Sequence, residues 1–266
     1  MNICDLGKIQ GDMLLFGGIY SNLAALNAFI MAAQEYSIPP ENCICTGDIV
    51  AFCADAAACV DKMCDFACPV IAGNCEVQLA NDAQDCGCGY SEGSECSILS
   101  DGWYSHAIRQ INDTHKQWMS NLPDRITFVH NAKRYGVVHG AASDISRFIW
   151  PVVTDEVILS EIALLEAQIG KVDVVIAGHT GIPMSRNIGT KSWINTGAIG
   201  MPSNNGRSLT GYGYLNENSI KIIDLPYDIN ASVQAMEQAG LTQGYEKTLS
   251  TGYWPSQDNL PVELHR

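Results

Sequence analysis

Short apolar runs alternate with helical patterns in the first third of the chain, and this alternation restricts the fold more than any other feature. Three runs that lead into turns predict buried strands, at Met13–Phe16, Asn42–Thr46 and Pro69–Ala72. Helices are predicted between them, over 23–33 and from about 54 to 66. Strands joined in this way by helices form right-handed crossovers, so the order predicts a parallel sheet and an α/β domain.

The remainder of the chain has no linker and no internal repeat, so a single domain over 1–266 is predicted. Further elements are strands at 126–130, 135–138, 172–177 and 193–194, and helices at 103–119 and 155–170. A hairpin is expected over 207–225, with Asn216, Glu217 and Asn218 at its turn. A Cys- and Gly-rich loop is expected near 85–102, and a C-terminal helical extension near 228–266.

Acidic residues outnumber basic ones, with 29 Asp and Glu against 15 Lys and Arg and a formal net charge of −14. A surface of this sign repels phosphate backbones, so no nucleic-acid polymer is expected as a partner. No apolar run approaches the roughly 18 residues of a membrane span, so no membrane partner is expected. The first residues lack the basic start and apolar stretch of a signal peptide, which predicts a cytoplasmic location. The sequence does not indicate an oligomeric state.

Eleven cysteines lie within the first hundred residues. An odd number in a chain without an export signal argues against a disulfide framework. Most of them are therefore predicted to be small buried apolar residues. A second interpretation stays open for Cys75, Cys86, Cys88 and Cys96, which could form a thiol-rich metal or redox site.

Several predicted strands end in a small residue next to a side chain that can bind metal. The residues concerned are Asp48, Asn74, His139 and His179. In open α/β sheets, ligands bind outside the carboxyl ends of the strands, so we expect these four side chains to converge. Imidazole and carboxylate ligands together suit Mn, Fe, Zn or Ni. The four residues therefore predict a site for a divalent transition metal.

The order of these motifs resembles the calcineurin-like metallophosphoesterase superfamily, and most of all its small bacterial and archaeal phosphodiesterase-like branch. The resemblance runs from Met13 to about Gly252 and includes Asn195–Gly200, which is similar to the N-P-G-S-V-G segment of the family. It implies the metallo-dependent phosphatase fold, a four-layer αββα sandwich with metals at the strand ends. The family normally holds two metals through the motifs D-x-H, G-D, G-N-H-[DE], a lone His and G-H-x-H.

By this resemblance, one of the two family metal sites is complete and the other is not. Asp48, Asn74, His139 and His179 match all the ligands of the second metal. Gly18 and Tyr20 stand where the first site has the Asp and His of D-x-H, and Gly181 replaces the second His of G-H-x-H. The resemblance therefore implies one divalent transition metal, not two.

Three other positions follow from the same resemblance. Cys75 stands at the His of G-N-H, which is the proton-donor position of the family, and Tyr20 stands at a lost ligand position. These two are the catalytic candidates, and neither has the chemistry that the family places there. Asn22 is the candidate substrate-binding residue.

Two functions are compatible with a half-retained site. The first is hydrolysis of a small phosphate mono- or diester at a low or altered rate, because one ion cannot stabilise both ends of an in-line displacement. The alternative is a catalytically inactive descendant that binds a metal, a phosphate-containing ligand or a protein partner through the old cleft. Kinship of fold does not decide between them.

Overall fold

The structure is a computed structural model that describes residues 1–217 and 219–266, and it contains two β-sheets flanked by helices. The described strands are β1 (Ile3–Lys8), β2 (Met13–Phe16), β3 (Cys43–Cys45), β4 (Arg125–His130), β5 (Lys133–Val137), β6 (Val174–Ala177), β7 (Met184–Ile188), β8 (Lys191–Asn195), β9 (Thr210–Leu215) and β10 (Ile220–Leu225). The described α-helices are α1 (Leu23–Glu35), α2 (Ala56–Phe66), α3 (Asn74–Ala80), α4 (Glu95–Gln110), α5 (Asp113–Ser120), α6 (Asp155–Ile169), α7 (Ile229–Gln238) and α8 (Tyr245–Thr251).

The two sheets are mixed, which corrects the expectation of a purely parallel sheet. A six-stranded sheet has the order β1-β4-β5-β6-β8-β7, and a four-stranded sheet has the order β10-β9-β2-β3. The pairs β2/β3 and β6/β8 are parallel. Tight connections make β4/β5, β7/β8 and β9/β10 antiparallel, because a short turn can join only antiparallel neighbours.

Three hydrophobic clusters define the layers of the fold. The middle cluster joins the facing sides of both sheets, with Leu15 from one and Phe128 from the other. A large outer cluster packs the opposite side of the four-stranded sheet against α1, α2 and α4, and a third packs the six-stranded sheet against α6. This helix–sheet–sheet–helix order is the four-layer αββα sandwich that the resemblance implies. That all 266 residues form one domain stays a prediction.

The Cys- and Gly-rich loop is shorter than expected. Ser94 caps α4 by accepting a hydrogen bond from the backbone N–H of Ser97 at 3.1 Å, so the helix begins within the predicted 85–102 loop. The predicted long helix over 103–119 is divided into α4 and α5, because Asn112 caps the second helix through the N–H of His115 at 2.9 Å. The polar composition of this segment indicates a loop, but its serine and asparagine are helix caps.

Other elements differ from expectation in ways that backbone hydrogen bonding explains. The predicted strand at Pro69–Ala72 is reduced to one bridge between Cys45 and Val70, since Pro69 has no N–H to extend a ladder. The hairpin forms from β9 and β10, whereas the predicted turn residue Asn218 lies outside the described residues. The tail holds α7, α8 and a short 3-10 turn, where one helix was expected. Within the described residues, no helix has the length and apolar character needed to cross a membrane.

Candidate metal centre

The two sheets bring the four predicted ligands together, three of them just after the carboxyl ends of strands and one at the start of a helix. Asp48 follows β3, His139 follows β5 and His179 follows β6, while Asn74 is the first residue of α3. Ligand atoms of Asp48, His139 and His179 all lie within 4.8 Å of one another. The carboxamide of Asn74 joins them, with Oδ1 at 3.1 Å from His139 Nε2.

The imidazole of His139 lies at the centre of this group. Its Nε2 atom is 3.2 Å from Nδ1 of His179 and 3.2 Å from Oδ1 of Asp48. The second carboxylate oxygen of Asp48 is 3.9 Å from His179 Nδ1. All four side chains are buried, so bulk water does not separate them.

Backbone carbonyls fix which nitrogen of each histidine can bind a metal. Nδ1 of His139 is 2.6 Å from the carbonyl oxygen of Thr46, and Nε2 of His179 is 3.0 Å from that of Ser146. A carbonyl only accepts, so these two nitrogens carry the hydrogens. In the neutral imidazoles, Nε2 of His139 and Nδ1 of His179 therefore direct lone pairs at the centre. This outer hydrogen bond is the usual partner of a metal-binding histidine.

The oxygen ligands are also oriented towards the centre of the group. The amide nitrogen of Asn74 donates to the carbonyl of Cys86 at 3.0 Å, which leaves Oδ1 directed at the histidines. Asp48 Oδ1 is buried without a hydrogen-bond partner among the described residues. Lone pairs that face one another in a buried space repel unless a cation lies between them. The donor set thus fits a divalent metal ion.

Burial and the contacts among these side chains also shift their pKa values. Burial opposes ionisation of Asp48, but the contacts with His139 and His179 hold the pKa of its carboxyl well below the ordinary value. Burial disfavours the charged form of His139 as well, yet the carboxylate of Asp48 raises the pKa of that imidazole. Burial lowers the pKa of His179. The carboxylate of Asp48 thus favours a positive charge at the centre of the group.

Comparison with known proteins identifies the origin of this arrangement. The model of the calcineurin-like phosphoesterase superfamily domain matches residues 21–217, which is more than half of the chain. The chain belongs to the calcineurin-like phosphoesterase superfamily. Members usually bind divalent metals, in agreement with the convergent donor set.

Individual proteins of known sequence or structure are similar to this chain over most of its length. A metallophosphoesterase from Sphaerobacter thermophilus has a TM-score of 0.67 at 19% identity, covering 92% of this chain and 100% of its own. A protein from Pyrococcus horikoshii has a TM-score of 0.73 at 13% identity, covering 92% and 98%. An uncharacterized protein of Methanocaldococcus jannaschii is 23% identical over 266 residues, covering 92% of this chain and 99% of the relative. The two solved structures establish the similarity of fold.

Glu76 is a residue of the centre that the sequence reasoning missed. Its buried carboxylate accepts hydrogen bonds from the backbone N–H groups of Asp48 at 2.9 Å, Ile49 at 2.9 Å, Val50 at 3.1 Å and Gly73 at 3.0 Å. Burial and the neighbouring Asp48 raise the pKa of Glu76 to about 7, while the N–H donors favour its ionised form. Glu76 therefore fixes the two segments that carry Asp48 and Asn74. The acidic last position of the G-N-H-[DE] motif was the signal that could have identified it.

Tyr20 lies beside two glycines, Gly18 and Gly181, that by the resemblance replace ligands of the other metal site. A Cβ atom placed on Gly18 would lie 2.8 Å from Cζ of Tyr20, and one placed on Gly181 would lie 3.2 Å from its hydroxyl oxygen. These are the positions at which the family has an Asp and a His. Burial, together with the nearby Asp48, raises the pKa of Tyr20 well above its ordinary value. Tyr20 is thus a neutral phenol beside these glycines, and it can donate a hydrogen bond.

The cysteines near the centre divide into two groups. Cys75 Sγ is 3.4 Å from the amide nitrogen of Asn74, and burial with the adjacent Asp48 raises the pKa of its thiol well above the ordinary value. Cys86 and Cys88 form a disulfide with each other, a local link between residues two apart in the chain. Cys88 Sγ also lies 3.4 Å from the Asn74 amide nitrogen. Most of the other cysteines are buried and free, as predicted.

The side chain of Asn22 is held by hydrogen bonds within the chain. Its Oδ1 accepts from the N–H of Ala25 at 3.1 Å and from the hydroxyl of Ser232 at 2.7 Å, and its Nδ2 donates to the carbonyl of Gly200 at 2.9 Å. The side chain is fully buried. Asn22 therefore caps α1 and joins it to α7. Its role in substrate binding stays a prediction.

Proposed function

We propose that the chain is a phosphoesterase that hydrolyses a small phosphate mono- or diester with one divalent transition metal. The observation that carries this proposal is the convergence of four buried lone-pair donors whose orientation is fixed by the chain around them. Asp48, Asn74, His139 and His179 would hold the ion, and Mn, Fe, Zn or Ni suits these ligands. The low or altered rate that we propose follows from the filled position of a second ion.

A bound ion would lower the pKa of a water molecule and polarise a phosphoryl oxygen. The chain contributes orientation, because Thr46 and Ser146 fix the two imidazoles. Tyr20 stays protonated and is available as a hydrogen-bond donor on the side of the lost site. Cys75 stays a neutral thiol at the proton-donor position, which makes it a weak donor to a leaving group. These replacements support slow hydrolysis.

The alternative proposal is a catalytically inactive protein that binds a metal, a phosphate-containing ligand or a protein partner through the old cleft. Tyr20 favours it, because a side chain that fills the first site excludes the second ion used by two-metal hydrolases. The two proposals differ in turnover. In both, the ligand is a small molecule or a protein in the cytoplasm, and neither a nucleic-acid polymer nor a membrane is involved.

Metal analysis of protein purified without chelator is expected to find about one ion per chain. The reason is that four ligands remain for one ion, whereas Tyr20 fills the space of the other. The same preparation is assayed with 4-nitrophenyl phosphate and bis(4-nitrophenyl) phosphate after loading with Mn, Fe, Zn or Ni. Slow turnover supports the phosphoesterase, and stoichiometric metal without turnover supports the binding protein. Two tightly held ions per chain would contradict both.

A further inference from the structure

A cleft that is partly open to solvent lies beside the metal centre and encloses about 60 Å³. We call it the aromatic cavity, and its walls include Tyr20, Phe148, Trp150, Tyr245 and Trp254, with His179 at the end nearest the metal site. Most of a bound ligand would therefore lie in its open part. A ligand in this cavity would lie next to the centre, because His179 belongs to both.

The cavity wall next to the centre is built from stacked rings. The ring of Phe148 stacks on that of His179, with centroids 4.2 Å apart and planes inclined by 30°. It also stacks on Trp150, with centroids 4.7 Å apart and planes inclined by 2°. Tyr90, from the Cys- and Gly-rich loop, is also nearly parallel to Phe148. These rings pack on one another, so the wall they form is apolar and rigid, and an aromatic group suits such a wall.

Charge is missing from the lining of the aromatic cavity. Among the described residues that line it, none is Lys, Arg, Asp or Glu, and the polar ones are few, such as Thr180, Ser256 and Asn259. A phosphate group would have no counter-charge there, so the charged part of a ligand belongs at the metal centre. The group that enters the cavity is therefore uncharged.

The outer wall is held in place before any ligand arrives. The indole nitrogen of Trp254 donates to the carbonyl of Pro202 at 2.7 Å, and its backbone N–H donates to the side chain of Asn204 at 2.9 Å. Gly206 pairs with Gly252 through the backbone at 3.1 Å. A wall fixed by such bonds binds without a large ordering penalty. Trp254 lies beyond residue 217, outside the part of the chain that matches the superfamily model, whereas its partners Pro202 and Asn204 lie within that part.

We propose that the aromatic cavity binds a flat, uncharged aromatic group that is esterified to the phosphate taken by the metal centre. This inference rests on the proposed function and specifies its substrate class as aryl or nucleoside phosphate esters. The metal centre holds the phosphate, and the segment 245–260 determines which alcohol the ester carries. Aliphatic phosphate esters leave the aromatic cavity empty and bind more weakly.

The test compares phenylphosphonate, methylphosphonate and adenosine 5′-O-phosphorothioate by calorimetry on the full-length, metal-loaded protein. Phenylphosphonate is expected to bind at least about tenfold more tightly than methylphosphonate, because the ring buries apolar area. The adenosine compound distinguishes a nucleobase from a simple aryl group as the preferred occupant. Trp254→Leu is expected to reduce the phenyl-over-methyl ratio towards one. Asn259→Phe, which fills the cavity without removing packing, is expected to do the same.

Tyr253→Leu is the matched control, because Tyr253 is half exposed and does not line the cavity. It should leave the ratio unchanged. Equal affinity of the wild-type protein for phenyl and methyl phosphonate would overturn the inference. A ratio that persists in both Trp254→Leu and Asn259→Phe would also overturn it. Metal content and turnover are measured on the same samples, so selective binding without hydrolysis would count against the proposed phosphoesterase and not against the aromatic cavity.

Discussion

The variant His139→Ala is expected to lose its bound metal and at least about 100-fold of any phosphoesterase activity. His139 Nε2 lies within 3.2 Å of three other proposed ligands, so its removal takes away the central donor. Loss of an outer-shell partner alone typically lowers metal affinity or activity by about 10- to 100-fold, and loss of a ligand should exceed that. Metal content and hydrolysis of bis(4-nitrophenyl) phosphate are the measurements.

His130→Ala is the control for this variant. His130 is also a buried histidine bonded to a backbone carbonyl, that of Gly11 at 2.8 Å, but it is not among the proposed ligands. Both variants lose buried contacts, whereas only His139→Ala should lose the metal. Chelation should then lower the melting temperature of the His130→Ala protein and leave that of His139→Ala unchanged, since only a metal-binding native state is stabilised by the ion. Full metal occupancy in His139→Ala would contradict the proposed centre.

The second large effect is expected at Glu76. In Glu76→Gln, one carboxylate oxygen becomes an NH₂ group that faces two backbone N–H donors. Each buried donor left without an acceptor costs about 1–3 kcal/mol, so we expect the free energy of unfolding to fall by about 2–5 kcal/mol. The metal should be lost as well, because the same carboxylate fixes the backbone at Asp48 and, through Gly73, at Asn74. Urea unfolding and metal analysis measure the two effects.

Glu246→Gln provides the comparison for Glu76→Gln. Glu246 is buried and accepts one backbone hydrogen bond, from Gly244 at 2.8 Å. Its replacement should lower stability by about 1 kcal/mol at most, since the amide can still accept that bond, and the metal should remain. If Glu76→Gln behaved like Glu246→Gln in both measurements, the positioning role of Glu76 would be wrong. Glu76→Asp, which keeps the charge on a shorter side chain, distinguishes loss of charge from loss of reach.

The sequence predicts the ligand positions better than their surroundings. Asp48, His139 and His179 each follow an apolar strand, and the ends of neighbouring strands lie together in any α/β sheet, so a local pattern was enough to place them. The resemblance of the motif order to that of the family additionally predicted the four layers of the sandwich. The carboxylate of Glu76 could not be assigned in the same way, because three of its four donors lie 26–28 residues away along the chain.

Contacts between distant segments account for the remaining differences. The wall of the aromatic cavity joins residues near 20, 148, 180 and 254, and no local pattern connects them. Asparagine is a residue type that often binds ligands, yet the carboxamide of Asn22 is hydrogen-bonded to Ala25, Ser232 and Gly200. The capping role of Ser94 could not be predicted from the local sequence either, because a residue is a cap only if the helix begins there. Burial and hydrogen-bond satisfaction, which need the folded chain, decide these cases.

The surroundings of Tyr20 also determine how readily a second metal site could arise in this chain. A Cβ atom on Gly18 would lie 2.6 Å from Cβ of Ala198 and 2.8 Å from Cζ of Tyr20, and one on Gly181 would lie 3.2 Å from the hydroxyl oxygen of Tyr20. Both glycines also have a positive φ, so Gly18→Asp and Gly181→His would be strained even if Tyr20 were replaced. Several neighbouring positions would have to change together, and stepwise mutation would seldom build such a site.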